Sequence, residues 1–293
     1  MYFRIEWLSF QMPGDLTHRV ESDFSRARFK SFLNRVRAAI SGTPTRLLSY
    51  DEVKASLRLG GPVYRGIQTV SVDQIAGSLN RYQEFDRAFL PTQDHIAPRW
   101  ESVDLAFYKD VGLPPVLLYQ VGQVYFVVDG HHRVSVARQQ GQEFIEAEVR
   151  EVSSKVNITP DLRPEDLVIL GEKVQFLERT RLDHVRPHAR VRLTIPGGFD
   201  RMAKHIAVHR YFMGLDLKRD ISAEEAVADW YDSVYMPIVK VVRQSKILRD
   251  FPGKTEGDLY LWVLDHQQHL AQAGGQGLDK PEEAAREFIA RDD

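Results

Sequence analysis

The stretch from Leu113 to Gly141, LPPVLLYQVGQVYFVVDGHHRVSVARQQG, constrains this chain more than any other. Two runs of β-favouring residues meet at Gly122-Gln123 and spell a hairpin whose turn carries a glycine. The second run ends in Asp129-Gly130 and gives way to a helical pattern over Arg133–Gln140, with Val134 and Ala137 on one side. Gly141 stops that helix, as glycine does just past a helix C-terminus. Phe144–Val149 then reads as a further strand, with Glu146 and Glu148 alternating with apolar residues. A strand that passes through a tight turn into a helix aims the helix N-terminus at one place. Here that turn carries Asp129, Gly130, His131, His132 and Arg133.

Around this centre the chain divides by texture. Residues 1–60 read as a helical arm, in which Phe29, Phe32, Leu33, Val36 and Ile40 recur at spacings of three and four and make one apolar stripe. Arg26, Arg28, Lys30, Arg35 and Arg37 fall mainly around that stripe; the commoner reading is a solvated face, the sharper one a grip on phosphate backbones or an acidic partner. From Gly61 the texture becomes β-like, as in Ile67–Ile75, and residues 61–153 form a mixed α/β module. Residues 154–293 read as mainly helical. Ser222 with Glu225, and Thr255 with Asp258, make two capping boxes. Pro237 is expected to kink or interrupt the helix around it, and Gly274-Gly275 to close the last long one. Between Arg190 and Phe212 the pattern suggests a strand, a Pro-Gly-Gly loop and a helix. The fold class expected is α+β.

Composition excludes several functions. The 293-residue chain has no cysteine, which removes disulfides, thiolate zinc sites and any thiol nucleophile and suits a reducing cytoplasm. The formal net charge is −2 and the pI about 6.6, so the chain as a whole is not built to coat nucleic acid or anionic lipid. The N-terminus lacks a basic region followed by an uninterrupted apolar core, so no signal peptide is expected. No apolar run approaches the ~20 residues that cross a bilayer. The expectation is a cytoplasmic protein with no membrane partner.

The turn itself points to phosphate. The first turn of a helix has N–H groups without intrahelical partners, and the helix dipole adds positive potential there. Gly130 lets the backbone approach a ligand closely. Arg133 supplies a planar charged fork matched to phosphate oxygens. His131 and His132 add donors expected to change charge near neutral pH. Asp129 is the candidate to hold Mg²⁺, orient a histidine or accept a proton, with His132 its rival as base. The alternative is a plain turn, in which Asp129 caps the helix and the histidines are merely exposed.

VDGHHRVSVA, with LPPVLLYQVGQVYFV before it and GQEFIEAEV after it, resembles the ParB/sulfiredoxin superfamily. IQTVSVDQIAGSLNRYQEFD upstream looks like that family's opening strand and arginine-bearing segment, so the likeness spans roughly Ile67 to Val149. It implies that Gly130, His131, His132 and Arg133 line a nucleotide phosphate site, reached from upstream by Arg81. Three branches are distinguishable. Sulfiredoxin-like enzymes place a cysteine after the turn glycine; His131 stands there instead, which excludes sulfinic acid reduction. ParB proteins bind CTP through a Gly-Glu-Arg-Arg-type turn beside a helix-turn-helix; His131 and His132 replace the Glu-Arg pair, and no helix-turn-helix directly follows Val149. Free serine kinases use a DGHHR turn with a glutamate on the upstream loop; Ala76–Gln83 has none, although Glu84 is near, which puts serine as substrate in doubt. The region with WYDSVYMPIV and FPGKTEGDLYLWV looks like one found in uncharacterised bacterial proteins, sometimes labelled transcriptional regulators.

Other features carry less. His205 and His209 lie four apart on an expected helix, and Asp265, His266 and His269 on another; this is metal-ligand spacing, though packing or surface histidines are commoner. Pro196-Gly197-Gly198 offers a loop that could cradle an anion, and a plain turn is the commoner outcome. The aromatics of Trp230–Tyr235 and Leu259–Trp262 are expected in the core, with base stacking as the alternative. The first expectation for function is a protein that binds ATP, ADP or CTP with Mg²⁺ at the DGHHR turn and hydrolyses it or transfers its phosphate. The second is a DNA-binding ParB-like regulator switched by nucleotide, with a homodimer as its expected assembly and Arg179, Arg181, Arg186 and Arg190 extending the basic stripe.

Overall fold

In the computed structural model, which describes residues 14–272 and 281–292, the chain forms two units, Met1–Glu165 and Asp166–Asp293. Residues 1–13, where no signal peptide is expected, and the Gly274-Gly275 pair lie outside the described residues. The fold is α+β. Unit 1 carries one mixed sheet of six strands: β1 (Leu48–Ser49), β2 (Pro62–Ser71), β3 (Ile75–Ser78), β4 (Val116–Val121), β5 (Val124–Asp129) and β6 (Phe144–Val152), in the order β1-β3-β5-β4-β6-β2. The hairpin read from the sequence is β4–β5, antiparallel with Val121 opposite Val124; Gly122 takes φ +57° in its turn. β3 runs parallel to β5 on its other side. β5 is therefore an inner strand, which explains why Val124 to Val127 are buried without alternation.

Helices α1 (Gly14–Ser41), α2 (Tyr50–Leu57), α3 (Ala97–Tyr108) and α4 (His131–Gln139) complete unit 1. Residues 14–60 belong to this unit, because β1 joins the sheet beside β3 and α1 packs on α3. The unit runs past residue 153 to Glu165; Arg87 donates to the carbonyls of Pro160 and Leu162, both at 2.6 Å, and ties that segment down. The apolar stripe of α1 corrects the sequence reading. Phe29, Phe32, Val36 and Ile40 are exposed, and the helix is held by Val20, Phe24 and Ala27 instead. Phe24 meets the buried ring of Trp100 edge-on at 5.6 Å between centroids, and Trp100 Nε1 donates to Ser135 Oγ at 2.8 Å. Through Trp100, on α3, and Ser135, on α4, the packing links α1 to the helix whose start carries the turn.

Unit 2 is helical: α5 (Asp166–Thr180), α6 (Leu182–Val185), α7 (Gly198–Leu217), α8 (Ala223–Asp229), α9 (Met236–Ser245), α10 (Glu256–Gln272) and α11 (Pro281–Asp292). One capping box forms in full, with Thr255 N donating to Asp258 Oδ2 at 2.8 Å and Asp258 N to Thr255 Oγ1 at 3.3 Å; at the other only half forms, the Glu225 N–H donating to Ser222 Oγ at 3.1 Å while the Glu225 carboxylate takes Arg219 as its partner. Pro237 sits in the first turn of α9, and the disturbance precedes it as a π-helical turn over Trp230–Tyr235. The strand expected before the Pro-Gly-Gly loop is absent among the described residues. Val191 and Leu193 alternate into a helical core, and Thr194 N bonds the Asp258 carboxylate rather than a neighbouring strand. Trp230, Tyr235 and Tyr260 are buried in that core, as the sequence suggested for these aromatics.

Candidate anion cleft at the DGHHR turn

The turn opens into a cleft of about 450 Å³ lined by Arg81, Arg99, Asp129, Gly130, His131, His132 and Arg133, with Asn80, Val103, Leu113, Pro114 and Val128. Every residue expected at the site from the sequence therefore shares one cavity. Gly130 takes φ +97° as the residue preceding α4. A Cβ there would lie 2.6 Å from Val116 Cγ1 and 3.0 Å from the Arg133 guanidinium, so both conformation and space require glycine. No side chain caps α4, which leaves its first-turn N–H groups bare of a side-chain acceptor. The plain-turn alternative fails on both counts: Asp129 does not cap the helix, and the histidines are not exposed.

His131 and His132 are 5% and 6% exposed. His131 Nε2 lies 2.8 Å from Ser78 Oγ, which also accepts the Arg81 N–H at 3.0 Å; the ring bonds the Val127 carbonyl as well. With that carbonyl taking its single N–H, neutral His131 accepts from Ser78. His132 Nε2 faces Arg81 Nη1 at 3.2 Å. A guanidinium only donates, so Nε2 accepts and the proton sits on Nδ1, which is buried without a partner. Burial, reinforced by the charge of Arg81, pushes both imidazoles down to about 4. Both are neutral at pH 7, which corrects the expectation that they change charge there. It also weighs against His132 as general base, since its basic nitrogen already accepts from Arg81.

Three guanidiniums and one carboxylate face the cleft. Arg133 is engaged: Nη1 donates to the carbonyls of Pro114 and Pro115, the latter at 2.9 Å, and Nη2 to Asp129 at 2.6 Å. It therefore pins the Pro114-Pro115 segment to α4 and meets an anion only by exchanging Asp129 for it. Arg81 is shared between His132 and Glu84, the latter at 3.0 Å; Glu84 is thus a partner of an arginine at the cleft rather than a residue lining it. Arg99, in the first turn of α3, is exposed and its guanidinium has no partner among the described residues. Sequence reading missed it because it stands 32 positions before His131, in a segment with no motif; its Pro98-Arg99 pairing at a helix start was the one visible signal.

Asp129 is mostly open to solvent, its side chain 68% exposed. Among the described residues no group of three or more His, Asp or Glu side chains is placed to hold a metal. Mg²⁺ does not need one, since it usually takes one or two carboxylates with phosphate oxygens and water, and Asp129 fits that role. The histidine pair of α7 fits no metal: His205 Nδ1 is 3.3 Å from Tyr260 Oη, and His209 Nε2 is 2.6 Å from Asp229 Oδ2. Asp265 pairs with Arg201 instead. The Pro-Gly-Gly loop holds no free anion cradle, because the Glu172 carboxylate accepts the Gly197 N–H at 2.8 Å. Much of the basic stripe is neutralised within each unit: Arg26 by Asp23, Arg28 by Asp94, Arg179 by Asp200, Arg181 by Glu224 and Arg186 by Asp232.

No helix among the described residues is long and apolar enough to cross a membrane. No family model matches the chain, and no curated protein matches it.

Proposed function

We propose that the cleft binds a nucleotide through its phosphates and that the protein hydrolyses it or transfers a phosphoryl group. The observation that carries this reading is the uncapped start of α4, reached through a glycine at φ +97° and set beside the unpartnered guanidinium of Arg99. Bare N–H groups, a helix dipole and a free fork of donors are complementary to an oxyanion, phosphate among them. Arg81, held by Glu84 and His132, adds a second fixed positive charge where negative charge gathers during phosphoryl transfer. The neutral histidines support the walls of the cleft without competing for the anion. Asp129 is the residue to accept a proton from an attacking hydroxyl or water, and it is also the one to share Mg²⁺ with the phosphates. Bound there, the cation would neutralise charge across the phosphate oxygens.

Titration calorimetry with ATP, ADP and CTP in the presence of Mg²⁺ tests the reading. At least one should bind, and Arg99→Gln should weaken it at least about tenfold, the value of one charge-assisted hydrogen bond. Phosphate release should then fall on Asp129→Asn without loss of the folded state. Absence of binding at millimolar nucleotide would remove the proposal. A DNA-binding regulator or homodimer switched by nucleotide has less to rest on, because five arginines of the proposed basic stripe are already paired with carboxylates; steep loss of duplex affinity with salt would be its mark.

A further inference from the structure

Helix α1 is apolar on two opposite sides. Val20, Phe24, Ala27 and Ala38 are buried within unit 1, while Phe29, Phe32, Val36 and Ile40 are exposed, Ile40 by 85%. At 3.6 residues per turn the two sets fall on opposite faces of the helix. Large apolar side chains gathered on one exposed line mark a surface that a partner covers. Cations flank the line on both sides, Arg28 and Arg35 on one, Arg26, Lys30 and Arg37 on the other, and no acidic residue occurs between Phe24 and Tyr50. Arg26 and Arg28 pair with Asp23 and Asp94. Lys30, Arg35 and Arg37 are exposed and have no partner among the described residues.

Each flank also borders a cavity. On one, Phe29, Phe32, Arg28 and Arg35 line a groove of about 340 Å³ with Phe24 and Asp94, roomy enough for a large apolar side chain. On the other, Arg37 lines a cavity of about 380 Å³ with Arg87 and Arg138, whose guanidiniums hydrogen-bond backbone carbonyls rather than carboxylates. Asp86 is the one carboxylate there, and it already accepts the Ala88 and Leu90 N–H groups. We infer that this face of α1 docks an acidic amphipathic helix of a partner protein. One apolar side chain of that helix enters the Phe29–Phe32 groove, and its carboxylates lie beside Lys30, Arg35 and Arg37. A helix is the matching shape, since a ridge with spacings of three and four packs against the like-spaced ridge of another. Charge rejects the same face of a second copy, which would set one row of cations against another. A nucleic acid would answer the cations and leave the apolar line uncovered; a bilayer, flat at this scale, would leave the groove unfilled. The inference is independent of the nucleotide cleft.

The test is fluorescence anisotropy of a labelled synthetic peptide titrated with the full chain. The peptide has about 18 residues, enough to span the stripe at 1.5 Å per residue, with Leu at the a and d heptad positions and Glu at e and g. A second peptide carries Lys in place of Glu, and like charges at e and g keep each from pairing with itself. The glutamate peptide is expected to bind and the lysine peptide not. Phe32→Ser should weaken binding about tenfold or more, the scale of one aromatic anchor. Lys30→Glu with Arg35→Glu should reverse the preference, so that the lysine peptide binds instead. All three side chains are exposed, so the variants should fold, which circular dichroism checks. Failure of the glutamate peptide to bind, or binding that Phe32→Ser and the charge reversal leave intact, would overturn the inference. Preference of the face for phosphatidylserine vesicles or duplex DNA over the peptide would do the same, as would a dimer in sedimentation that Phe32→Ser dissolves.

Discussion

At the scale of single residues, the turn was legible where chemistry forces identity and illegible where partners decide it. Gly130 is the clear case. A Cβ would meet buried Val116 at 2.6 Å, and φ +97° disfavours any side chain, so glycine followed by a helix start could be read as a functional turn. Gly130→Ala should destabilise by about 2–4 kcal/mol, from the left-handed conformation and overpacking together. Urea unfolding measures this, and a loss under about 1 kcal/mol would mean that the turn relaxes around the methyl. The histidines show the opposite. Their adjacency was visible in the sequence, but their neutrality comes from burial and from Arg81, fifty residues upstream. Arg99 carried only the faint signal of a Pro-Arg pair at a helix start, because what marks it is the lack of a partner in three dimensions. Asp129 was readable as an acid at a strand end; that it pairs with Arg133 rather than capping α4 was not.

At the scale of elements, periodicity identified the helices better than it identified their buried faces. The stripe of Phe29, Phe32, Val36 and Ile40 is a sound helical pattern, yet α1 packs through Val20, Phe24 and Ala27. The reason lies in the partner surface. Trp100 presents a large flat ring to α1, and small residues such as Ala27 let the helix approach where a stripe of phenylalanines would hold it off. Phe24→Ala should therefore cost about 3–5 kcal/mol, whereas Ile40→Ser should change stability by less than about 0.5 kcal/mol. Unfolding free energies of the two variants decide it, and equal losses would contradict the assigned face. The same reasoning explains the missing strand at Val191–Leu193. Alternation only says that every second residue is buried, and a helical core can take that burial as readily as a sheet. The Thr255–Asp258 box and the Ser222 cap were legible because both partners of each bond lie within four residues; that the Glu225 carboxylate turns to Arg219 instead of closing its own box was not.

At the scale of the whole molecule, burying two imidazoles beside an arginine makes stability depend on pH. Each histidine is held near pKa 4 in the folded chain against 6.5 when exposed. Above pH 6.5 both states are neutral and the groups contribute nothing to the slope. Between pH 6.5 and about 4 the unfolded chain takes up protons that the folded chain refuses, so stability falls as pH falls, by about 2 kcal/mol per histidine at pH 5. Asp104 opposes this. Its carboxyl is buried on α3 beside Gln140 and raised to about 6, so on acidification the folded chain gains a proton before the unfolded chain does, and stability rises through the same window. Burial raises Asp86 as well, which adds to the opposing side. The two kinds of group are separable by substitution. His132→Leu should lose less stability than the parent between pH 7 and pH 5, by about 2 kcal/mol, because one proton-refusing site is gone. Asp104→Asn should lose more than the parent over the same interval, because a site that favoured the acid form is gone. Urea unfolding of the three proteins at the two pH values gives the slopes directly. Slopes that are parallel would mean that His132 titrates like an exposed histidine, and the closed, neutral wall assigned to the cleft would have to be abandoned.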